Sequence, residues 1–313
     1  MADGTISITA LPAVRRTAGP NPMRRWMRHR STVGFLMALP LIAVIGGLVV
    51  YPAVYSIALS LMDRRMTHFV GLHNFYLLIH RNTFQLVIFQ SCLFAITAVI
   101  LKALIGFTLA NLLHNIPTAK QRAFRGFLLL PWVIPLALST LGWWWLFDPS
   151  YSAFNWTLNW LGLPSVPWLG QPWWARFCMI WVNTWWGEPF FMIMYLAALK
   201  SVPEQLFEAA AIDGASWLQK LRHVTLPMMR NIISITVLFS LIVTFANFDI
   251  VRILTNGGPL NTTHMFATYA FQVGIQSGDI PLGAAVSLFM FPILAVASLF
   301  VLRGITQRAK ETL

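Results

Sequence analysis

The 313-residue sequence has few charged residues, and acidic ones are the scarcest. It has 22 Lys and Arg and 10 Asp and Glu, which together make up 10% of the chain. Soluble domains carry about 25% charged residues, so this chain has too few polar side chains to cover a water-exposed globule. Hydrophobic residues make up 57% of it. The composition therefore favours a protein embedded in a lipid bilayer.

Residues that hold cofactors are also scarce. The two cysteines, Cys92 and Cys178, each lie inside an apolar run, which is typical of small buried hydrophobic residues rather than of a disulfide or a metal pair. No group of His, Cys and carboxylates has zinc spacing, and no glycine-rich phosphate-binding loop is present. We therefore expect that the chain binds no cofactor or metal and hydrolyses no ATP by itself.

Long uncharged stretches predict six membrane spans, since a helix needs about 20 mostly apolar residues to cross a bilayer. The stretch 253–278 is also nearly uncharged, but its Gly, Pro, Asn and Thr residues predict a loop. The expected fold class is an all-α integral membrane protein with six transmembrane helices. The six predicted spans are 31–62, 84–111, 126–147, 177–199, 231–248 and 280–302.

Six spans place both termini on one side of the membrane, and the basic residues indicate which side. With cytoplasmic termini, the inside segments carry sixteen Lys and Arg and the outside segments carry five, as the positive-inside rule requires. These clusters account for the net charge of +12 without a nucleic-acid partner. The expected organisation is a basic cytoplasmic segment 1–30, a membrane domain 31–305 and a cytoplasmic tail 306–313.

Segment 201–227, between the fourth and fifth predicted spans, is the longest cytoplasmic connection. Ser201 with Glu204 predicts a capping box, so a short helix is expected to begin near Val202. Pro203 would then lie in the first turn of this helix, where its missing N–H is harmless.

A second short helix is predicted within the same segment. Gly214 is a natural helix stop, and Ser216 with Gln219 predicts another capping box. Pro227 is expected to open the fifth span. The segment is therefore expected to form two short helices with a bend at Gly214, lying at the cytoplasmic surface.

The first of these helices is acidic where a lipid-bound helix would be basic. It carries Glu204, Glu208 and Asp213 beside the small residues 209–211. Interfacial helices carry Lys and Arg on their polar face, whereas small residues allow close approach of another backbone. A protein partner explains this helix better than a lipid surface does.

The spacing of the segment is more specific than any residue in it. Its recurrent positions are Glu208, Ala209, Ala210, Gly214, Val224, Leu226 and Pro227. This pattern resembles the signature loop of binding-protein-dependent ABC importer permeases, with Val224 where that family usually has Ile. The runs 208–215 and 248–259 resemble the carbohydrate-uptake branch of the family. The resemblance covers nearly the whole chain from the first span to the sixth.

The resemblance implies the type I ABC importer architecture in a bacterial-type inner membrane. The partners would be a second homologous permease subunit, a dimer of cytoplasmic ABC ATPase subunits that bind ATP and Mg²⁺, and an extracytoplasmic solute-binding protein. Glu208 would make a polar contact with the ATPase, and Gly214 would set the bend of this coupling loop. The residues expected to couple the two proteins are Glu208, Ala209, Ala210, Asp213, Gly214, Leu226 and Pro227.

One carboxylate lies near the middle of a predicted span, where a charge costs roughly 2.5–3.5 kcal/mol on insertion scales. This residue, Glu188, must face a wet path, form a pair or be protonated. Two interpretations stay open: it accepts hydrogen bonds from substrate hydroxyls, or it forms a structural pair with Lys102. Pro189 frees a backbone carbonyl one turn back, which favours a helix break that lines a cavity.

Other candidate substrate contacts lie towards the outer side. Asn247 and Asp249, near the outer end of the fifth span, would touch substrate or only cap a helix. Twelve of the fourteen tryptophans lie between Trp132 and Trp186, which is typical of an aromatic belt at the outer interface. The alternative is that a few rings, Trp185 among them, stack on sugar faces.

Two other classes of protein compete with this interpretation. A proton-coupled secondary transporter would use Lys102, Glu188 and Asp249 as a relay, but the chain has no internal repeat and such carriers need no acidic docking loop. A membrane enzyme would need catalytic groups that converge near one interface, and no such group is evident. The cargo expected is a sugar or polyol, with a glycerol phosphate as the alternative; Lys102, as the only basic residue inside a span, favours a neutral cargo.

Overall fold

A computed structural model describes residues 30–309 of the chain. Within these residues the structure is helical, with one isolated β-bridge between Met62 and Phe69. The chain divides into two compact units; the first ends at Tyr55 and the second begins at Ser56. The helices are α1 (Arg30–Ile45), α2 (Tyr51–Ser60), α3 (His73–Ile79), α4 (Asn82–His114), α5 (Thr118–Leu128), α6 (Leu130–Val133), α7 (Leu136–Phe147), α8 (Ala153–Trp160), α9 (Pro172–Ser201), α10 (Glu204–Ile212), α11 (Trp217–Lys220), α12 (Leu226–Phe245), α13 (Asp249–Leu254), α14 (Phe266–Phe271), α15 (Ile280–Leu288) and α16 (Met290–Ala309), and π-helical turns lie at Gly46–Val50, Leu221–Thr225 and Gln272–Gln276.

The membrane spans agree with the prediction at four places. Among the described residues, four helical stretches are long and apolar enough to cross a membrane. They correspond to the first, second, fifth and sixth predicted spans. Their bounds are Gly34–Ser60, Asn82–His114, Trp217–Phe245 and Ile280–Leu299.

The third predicted span, 126–147, is helical but is not one continuous helix. The chain there is divided among the end of α5, the short α6 and α7. Pro135 causes the second break, because a residue before proline is pushed out of the α region. Ile134 accordingly has a ψ of 131°. Its freed carbonyl accepts a hydrogen bond from the indole N–H of Trp186, at 3.1 Å.

The fourth predicted span lies within α9, a continuous helix of 30 residues. The helix passes through Pro189 without interruption, so the expected break at this proline is wrong. At about 1.5 Å per residue, α9 is long enough to cross a bilayer. Polar residues within it, Asn183 and Glu188 among them, lower its mean hydropathy, which explains why it is absent from the strongly apolar set.

The stretch 253–278 is only partly a loop. Irregular backbone runs through 255–265, where the Asn-Gly-Gly-Pro run lies. The remainder forms α14 and a π-helical turn, because Phe266 and Tyr269 are buried against the core. The prediction of a loop is therefore wrong for 253–254, which end α13, and for 266–276.

The ends of the predicted domains lie partly beyond the description of the structure. Of the predicted segment 1–30, residues 1–29 lie outside the described residues. Helix α16 extends to Ala309, through the predicted start of the tail at 306. Residues 310–313 also lie outside the described residues.

The packing of α4 against α9 is the most extensive helix–helix contact in the second unit. Gly106 permits it, since a Cβ added there would lie 2.5 Å from Cβ of Phe191 and 2.9 Å from the backbone nitrogen of Met192. Small residues at a crossing let two membrane helices approach closely. Helix α12 packs on both α4 and α9, so these three helices form the frame that positions the candidate sites.

Candidate functional site

Helix α10, which contains the first predicted coupling residues, begins at Glu204, and its first turn is not capped as predicted. Pro203 is the N-cap residue, and no side chain caps the helix. The hydroxyl of Ser201 instead donates to the carbonyl of Ala198 at 2.7 Å. The predicted Ser201–Glu204 capping box is therefore wrong, because α9 extends to Ser201 and its hydroxyl bonds within that helix.

The end of α10 confirms the predicted stop at Gly214. The backbone there has a φ of +73°, a conformation that residues with a Cβ rarely adopt. The N–H of Ala215 donates to the carbonyl of Ala210 at 2.9 Å, and that of Gly214 donates to Ala211 at 3.1 Å. These two bonds form a Schellman motif, which satisfies the last carbonyls of the helix.

The second predicted helix begins as expected, but it does not end before the fifth span. The side chain of Gln219 accepts a hydrogen bond from the backbone N–H of Ser216 at 2.7 Å, within a capping box. From Trp217 the chain then remains helical to Phe245. The predicted second short helix is therefore the first part of the fifth span.

A π-helical turn explains how this helix passes Pro227. Proline has no N–H and its ring collides with the carbonyl four residues earlier, so a regular helix would kink or break there. The turn Leu221–Thr225 widens the helix just before the proline, and the N–H of Leu226 bonds to the carbonyl of Leu221. Pro227 thus lies inside a continuous helix, and the prediction that it opens the span is wrong.

Most of the predicted coupling residues are exposed. Glu208, Ala209 and Asp213 are exposed, as are Gly214, Leu226 and Pro227, whereas Ala210 is half-buried. Phe207 and Val224 face the other way and pack on the core formed by α4, α9 and α12. The segment is therefore anchored on its inner face and free on its outer face.

Sequence reasoning missed the apolar part of this outer face. Ile212 is 88% exposed, Trp217 is 70% exposed and Leu218 is 63% exposed, and all three lie within four residues of Gly214 in the sequence. Large exposed apolar side chains around a polar tip are typical of a protein contact. The signal was present in the sequence, since these residues flank the glycine of a loop between two spans.

A buried polar cluster joins the three frame helices, and it was also missed. Nζ of Lys102 on α4 donates to Oδ1 of Asn183 on α9 and to Oγ1 of Thr244 on α12, both at 2.9 Å. Gly187 makes room for the lysine, because a Cβ there would lie 2.8 Å from Cδ of Lys102. A charged side chain buried among membrane helices is expected to hold a polar path or joint.

Glu188 is buried next to this cluster without belonging to it. Its Oε2 has no hydrogen-bond partner, and neither has Oγ1 of Thr184, one turn earlier on α9. Among the described residues, the one salt bridge is between Arg64 and Asp279, so the expected structural pair of Lys102 with Glu188 is not formed. The ammonium group of Lys102 instead donates hydrogen bonds to neutral oxygens, those of Asn183 and Thr244.

The remaining candidate substrate contacts lie on two elements: Trp185 is on α9, three residues before Glu188, and Asn247 and Asp249 lie at the start of α13. Trp185 is half-buried and packs edge to face on Trp143, with ring centroids 5.4 Å apart. Oδ1 of buried Asn247 accepts a hydrogen bond from the N–H of Ile250 at 3.2 Å, at the start of α13. Asp249 is exposed.

Trp143 is the centre of an aromatic cluster in the tryptophan-rich region. Its ring contacts Phe147, Phe154, Trp181 and Trp185 at centroid distances between 5.4 and 6.4 Å. Such contacts stabilise packing beyond the area they bury. Trp143 thus packs on the core, whereas Trp181 is 43% exposed and Trp156 and Trp160 on α8 are more than two-thirds exposed.

The cysteines take part in no disulfide. Cys178 is buried and Cys92 is half-buried, and both are free. Within residues 30–309, no group of three or more His, Cys, Asp or Glu is arranged to hold a metal ion.

Comparisons with known proteins agree on one family. The family model described as "Binding-protein-dependent transport system inner membrane component" matches residues 102–309. The chain is 32% identical over 278 residues to the trehalose/maltose transport system permease protein MalF of Thermococcus litoralis, covering 87% of this chain and 93% of that one. It is 31% identical over 276 residues to the sulfoquinovosyl glycerol transport system permease protein SmoG of Agrobacterium fabrum, covering 85% and 89%.

The fold is that of a solved importer. A chain of a bacterial ABC transporter involved in the import of the acidic polysaccharide alginate matches with a TM-score of 0.79 and 23% identity, over 91% of this chain and 98% of that one. At this identity the match shows the shared fold. The family match covers the three frame helices in whole or in part. It also covers segment 201–227, which is called the docking segment below. The chain therefore belongs to the binding-protein-dependent transport system inner membrane component family, the permease subunits of ABC importers.

Proposed function

We propose that this chain forms half of the path for a sugar or polyol and couples it to a dimer of ATPase subunits through segment 201–227. An extracytoplasmic binding protein would deliver the cargo, and a second homologous permease would supply the other half. The names of the relatives support a saccharide cargo, since they transport trehalose, maltose or sulfoquinovosyl glycerol. Both termini would be cytoplasmic, as the sixteen-to-five distribution of basic residues suggests.

The continuity of the docking segment with a membrane helix carries this proposal. The exposed helix α10 ends in a hydrogen-bonded turn at Gly214. Three residues later, at Trp217, a helix begins that reaches Phe245 without a break. A displacement of α10 by a partner would therefore be transmitted along a stiff element to Thr244, which binds Lys102 in the polar cluster.

The outer face of the segment supplies a complementary surface for that partner. Ile212, Trp217 and Leu218 offer exposed apolar area, and Glu208 and Asp213 add exposed carboxylates beside it. An apolar centre with a polar rim is the usual arrangement of a stable protein interface. We propose that Glu208 makes the polar contact and that Gly214 sets the angle between α10 and α11.

The cargo path would run past the free polar atoms of α9. We propose that Glu188 and Thr184 bind sugar hydroxyls, because both are buried and each has an oxygen without a partner. Trp185 would contact the cargo through its partly exposed ring. Asn247 would act by holding the start of α13, and exposed Asp249 would lie at the entrance of the path.

An anionic sugar or a glycerol phosphate is the second candidate cargo. A single basic residue inside the predicted spans favours the neutral cargo, but the environment of that residue favours the anionic one: Lys102 is buried and forms no salt bridge among the described residues. The two candidates can be separated by competition. Excess trehalose or maltose should block uptake if the cargo is neutral, and excess glycerol phosphate should block it if the cargo is anionic.

Uptake into membrane vesicles tests the proposed function. Vesicles that contain the permease pair, the ATPase and the binding protein should take up labelled cargo only with ATP, and vanadate should stop it. The ATPase should also copurify with the permease. Uptake that persists with vanadate and follows a proton gradient would instead support a secondary carrier.

A further inference from the structure

A cavity of about 730 Å³ lies at the end of the helical frame that carries the docking segment. Three parts of the chain line it: the last turn of α4, the junction between α9 and α10, and α11 with the turn after it. It is large enough for a small organic molecule, since ligand pockets are typically about 300–1,000 Å³. It is separate from the Lys102 cluster, none of whose members lines it.

Basic side chains from three helices line the cavity. His114 comes from α4, Lys200 from α9 and Lys220 from α11. Glu204 is the one carboxylate among the lining residues. Neither lysine forms an ion pair in the part of the chain that the structure describes. With two lysines and one carboxylate among its lining residues, the cavity has a net positive charge.

One of these lysines is held in place by a buried residue behind it. Nζ of Lys200 donates to Oε1 of Gln121 at 2.6 Å, and Nε2 of Gln121 donates to the carbonyl of Leu113 at 2.7 Å. Gln121 is 5% exposed, so its position is fixed by the core. An ammonium group has three donors, and Lys200 therefore keeps two for a ligand.

The other walls of the cavity suit an organic body rather than a bare ion. Leu199, Phe207 and Leu221 are apolar, and Trp217 also lines the cavity. Lysines bind phosphate as point charges, and basic pockets between membrane helices bind phosphate headgroups. We propose that this cavity binds the phosphate group of an anionic organic molecule, either a lipid headgroup or a free phosphorylated metabolite.

Such a ligand would join the docking segment to the frame. Its phosphate would bridge Lys200 at the end of α9 and Lys220 on α11, across the bend that contains Gly214. Occupancy would therefore restrain the segment that meets the ATPase and would adjust the rate of ATP hydrolysis. That consequence rests on the proposed function, whereas binding of the phosphate does not.

Binding is tested on the assembled importer in nanodiscs. One sample contains phosphatidylcholine alone, one contains equal amounts of phosphatidylcholine and phosphatidylglycerol, and a third contains phosphatidylcholine with added labelled glucose 6-phosphate. Native mass spectrometry counts retained phosphatidylglycerol, and equilibrium binding measures glucose 6-phosphate. Each is compared between the wild type and the double variant K200Q/K220Q.

The control removes the same charge elsewhere. Lys120 and Arg122 are exposed and do not line the cavity, so K120Q/R122Q matches the double variant in net charge. We expect the affinity for at least one probe to fall about tenfold or more in K200Q/K220Q, since hydrogen bonds between charged groups are lost. K120Q/R122Q should bind as the wild type does. If K200Q/K220Q does not assemble, the single variants K200Q and K220Q take its place.

The outcomes separate the two sources and the two proposals. A selective loss of phosphatidylglycerol identifies a lipid headgroup, and a selective loss of glucose 6-phosphate identifies a free metabolite. Equal binding of both probes to the wild type and K200Q/K220Q overturns the site. Vanadate-sensitive uptake by the wild type is unaffected by that result, so the proposed function would stand without the cavity.

Discussion

Two glycines show how the docking segment differs from the buried frame. At Gly214, in the docking segment, φ is +73°, and a Cβ added there would meet nothing within 4 Å. At Gly106, in the frame, the backbone is an ordinary helix, but an added Cβ would lie 2.5 Å from Phe191. The first position needs the conformational freedom of glycine, and the second needs its small size.

The difference follows from what each region packs against. The docking segment has its outer face open, so its shape is set by local hydrogen bonds such as the Schellman motif at Gly214. The frame is set by contacts between residues that are distant in the sequence, such as Lys102 with Asn183 and Thr244. Local and long-range constraints therefore predict different consequences for similar substitutions.

The largest expected effect is the loss of transport in Gly214→Val. A residue with a Cβ costs about 1–2 kcal/mol in the left-handed region, and a β-branched one is worse. Gly214→Asn should keep most of the transport, because Asn tolerates this conformation. Gly214→Asp is less informative, because it changes the backbone conformation and the charge at this position together. ATP-driven uptake and recovery of the ATPase during purification measure both variants, and a Gly214→Val protein with normal uptake would contradict the role of the bend.

Gly106→Ala should instead lower the stability of the permease. Overpacking a close contact costs about 1–3 kcal/mol, here because α4 and α9 must move apart. Gly142→Ala is the control, since nothing lies within 4 Å of a Cβ at that helical position; it should change stability by less than about 1 kcal/mol. Size-exclusion chromatography after stepwise heating compares the two. Equal heat resistance of both variants would show that the frame is less tightly packed than the structure indicates.

Ile212→Ser should weaken binding of the ATPase without changing the stability of the permease. Burying an isoleucine contributes about 1.5–3 kcal/mol, which corresponds to roughly tenfold or more in affinity. Leu163→Ser is the matched control, because Leu163 is 50% exposed and lies in the α8–α9 connection. Titration of the ATPase onto nanodiscs that contain each variant gives the affinities. Similar affinities for both variants would remove Ile212 from the docking surface.

Lys102→Met should have the smallest effect, a loss of about 1 kcal/mol of stability. It leaves the oxygens of Asn183 and Thr244 without a donor, but it also removes the cost of burying a charge. Adding Asn183→Leu and Thr244→Val should recover part of the loss, since all three partners are then apolar. Heat resistance of the single and triple variants checks this, and a triple variant less stable than Lys102→Met would show that the cluster has another structural role.

Much of the docking segment could be predicted, because its signals are local. The left-handed stop at Gly214 and the Ser216–Gln219 capping box both follow from residues within a few positions of each other. The predicted Ser201–Glu204 capping box is wrong because α9 extends as far as Ser201. The length of α9 depends on its packing against the other frame helices. The prediction that Pro227 opens the fifth span is wrong for a related reason. Local rules treat a proline as a helix boundary, but here a π-helical turn accommodates it within the helix.

The sequence alone determined that the chain is a helical membrane protein, and it located the proposed docking segment between the fourth and fifth predicted spans. Hydrophobic length, charge distribution and capping residues act over one helix or less, so they can be read along the chain. Only the tertiary structure decided that Lys102 binds Asn183 and Thr244 and not Glu188, and that the third span is divided at Pro135. Such pairings depend on how helices approach one another, and small differences at glycines such as Gly106 and Gly187 set those distances.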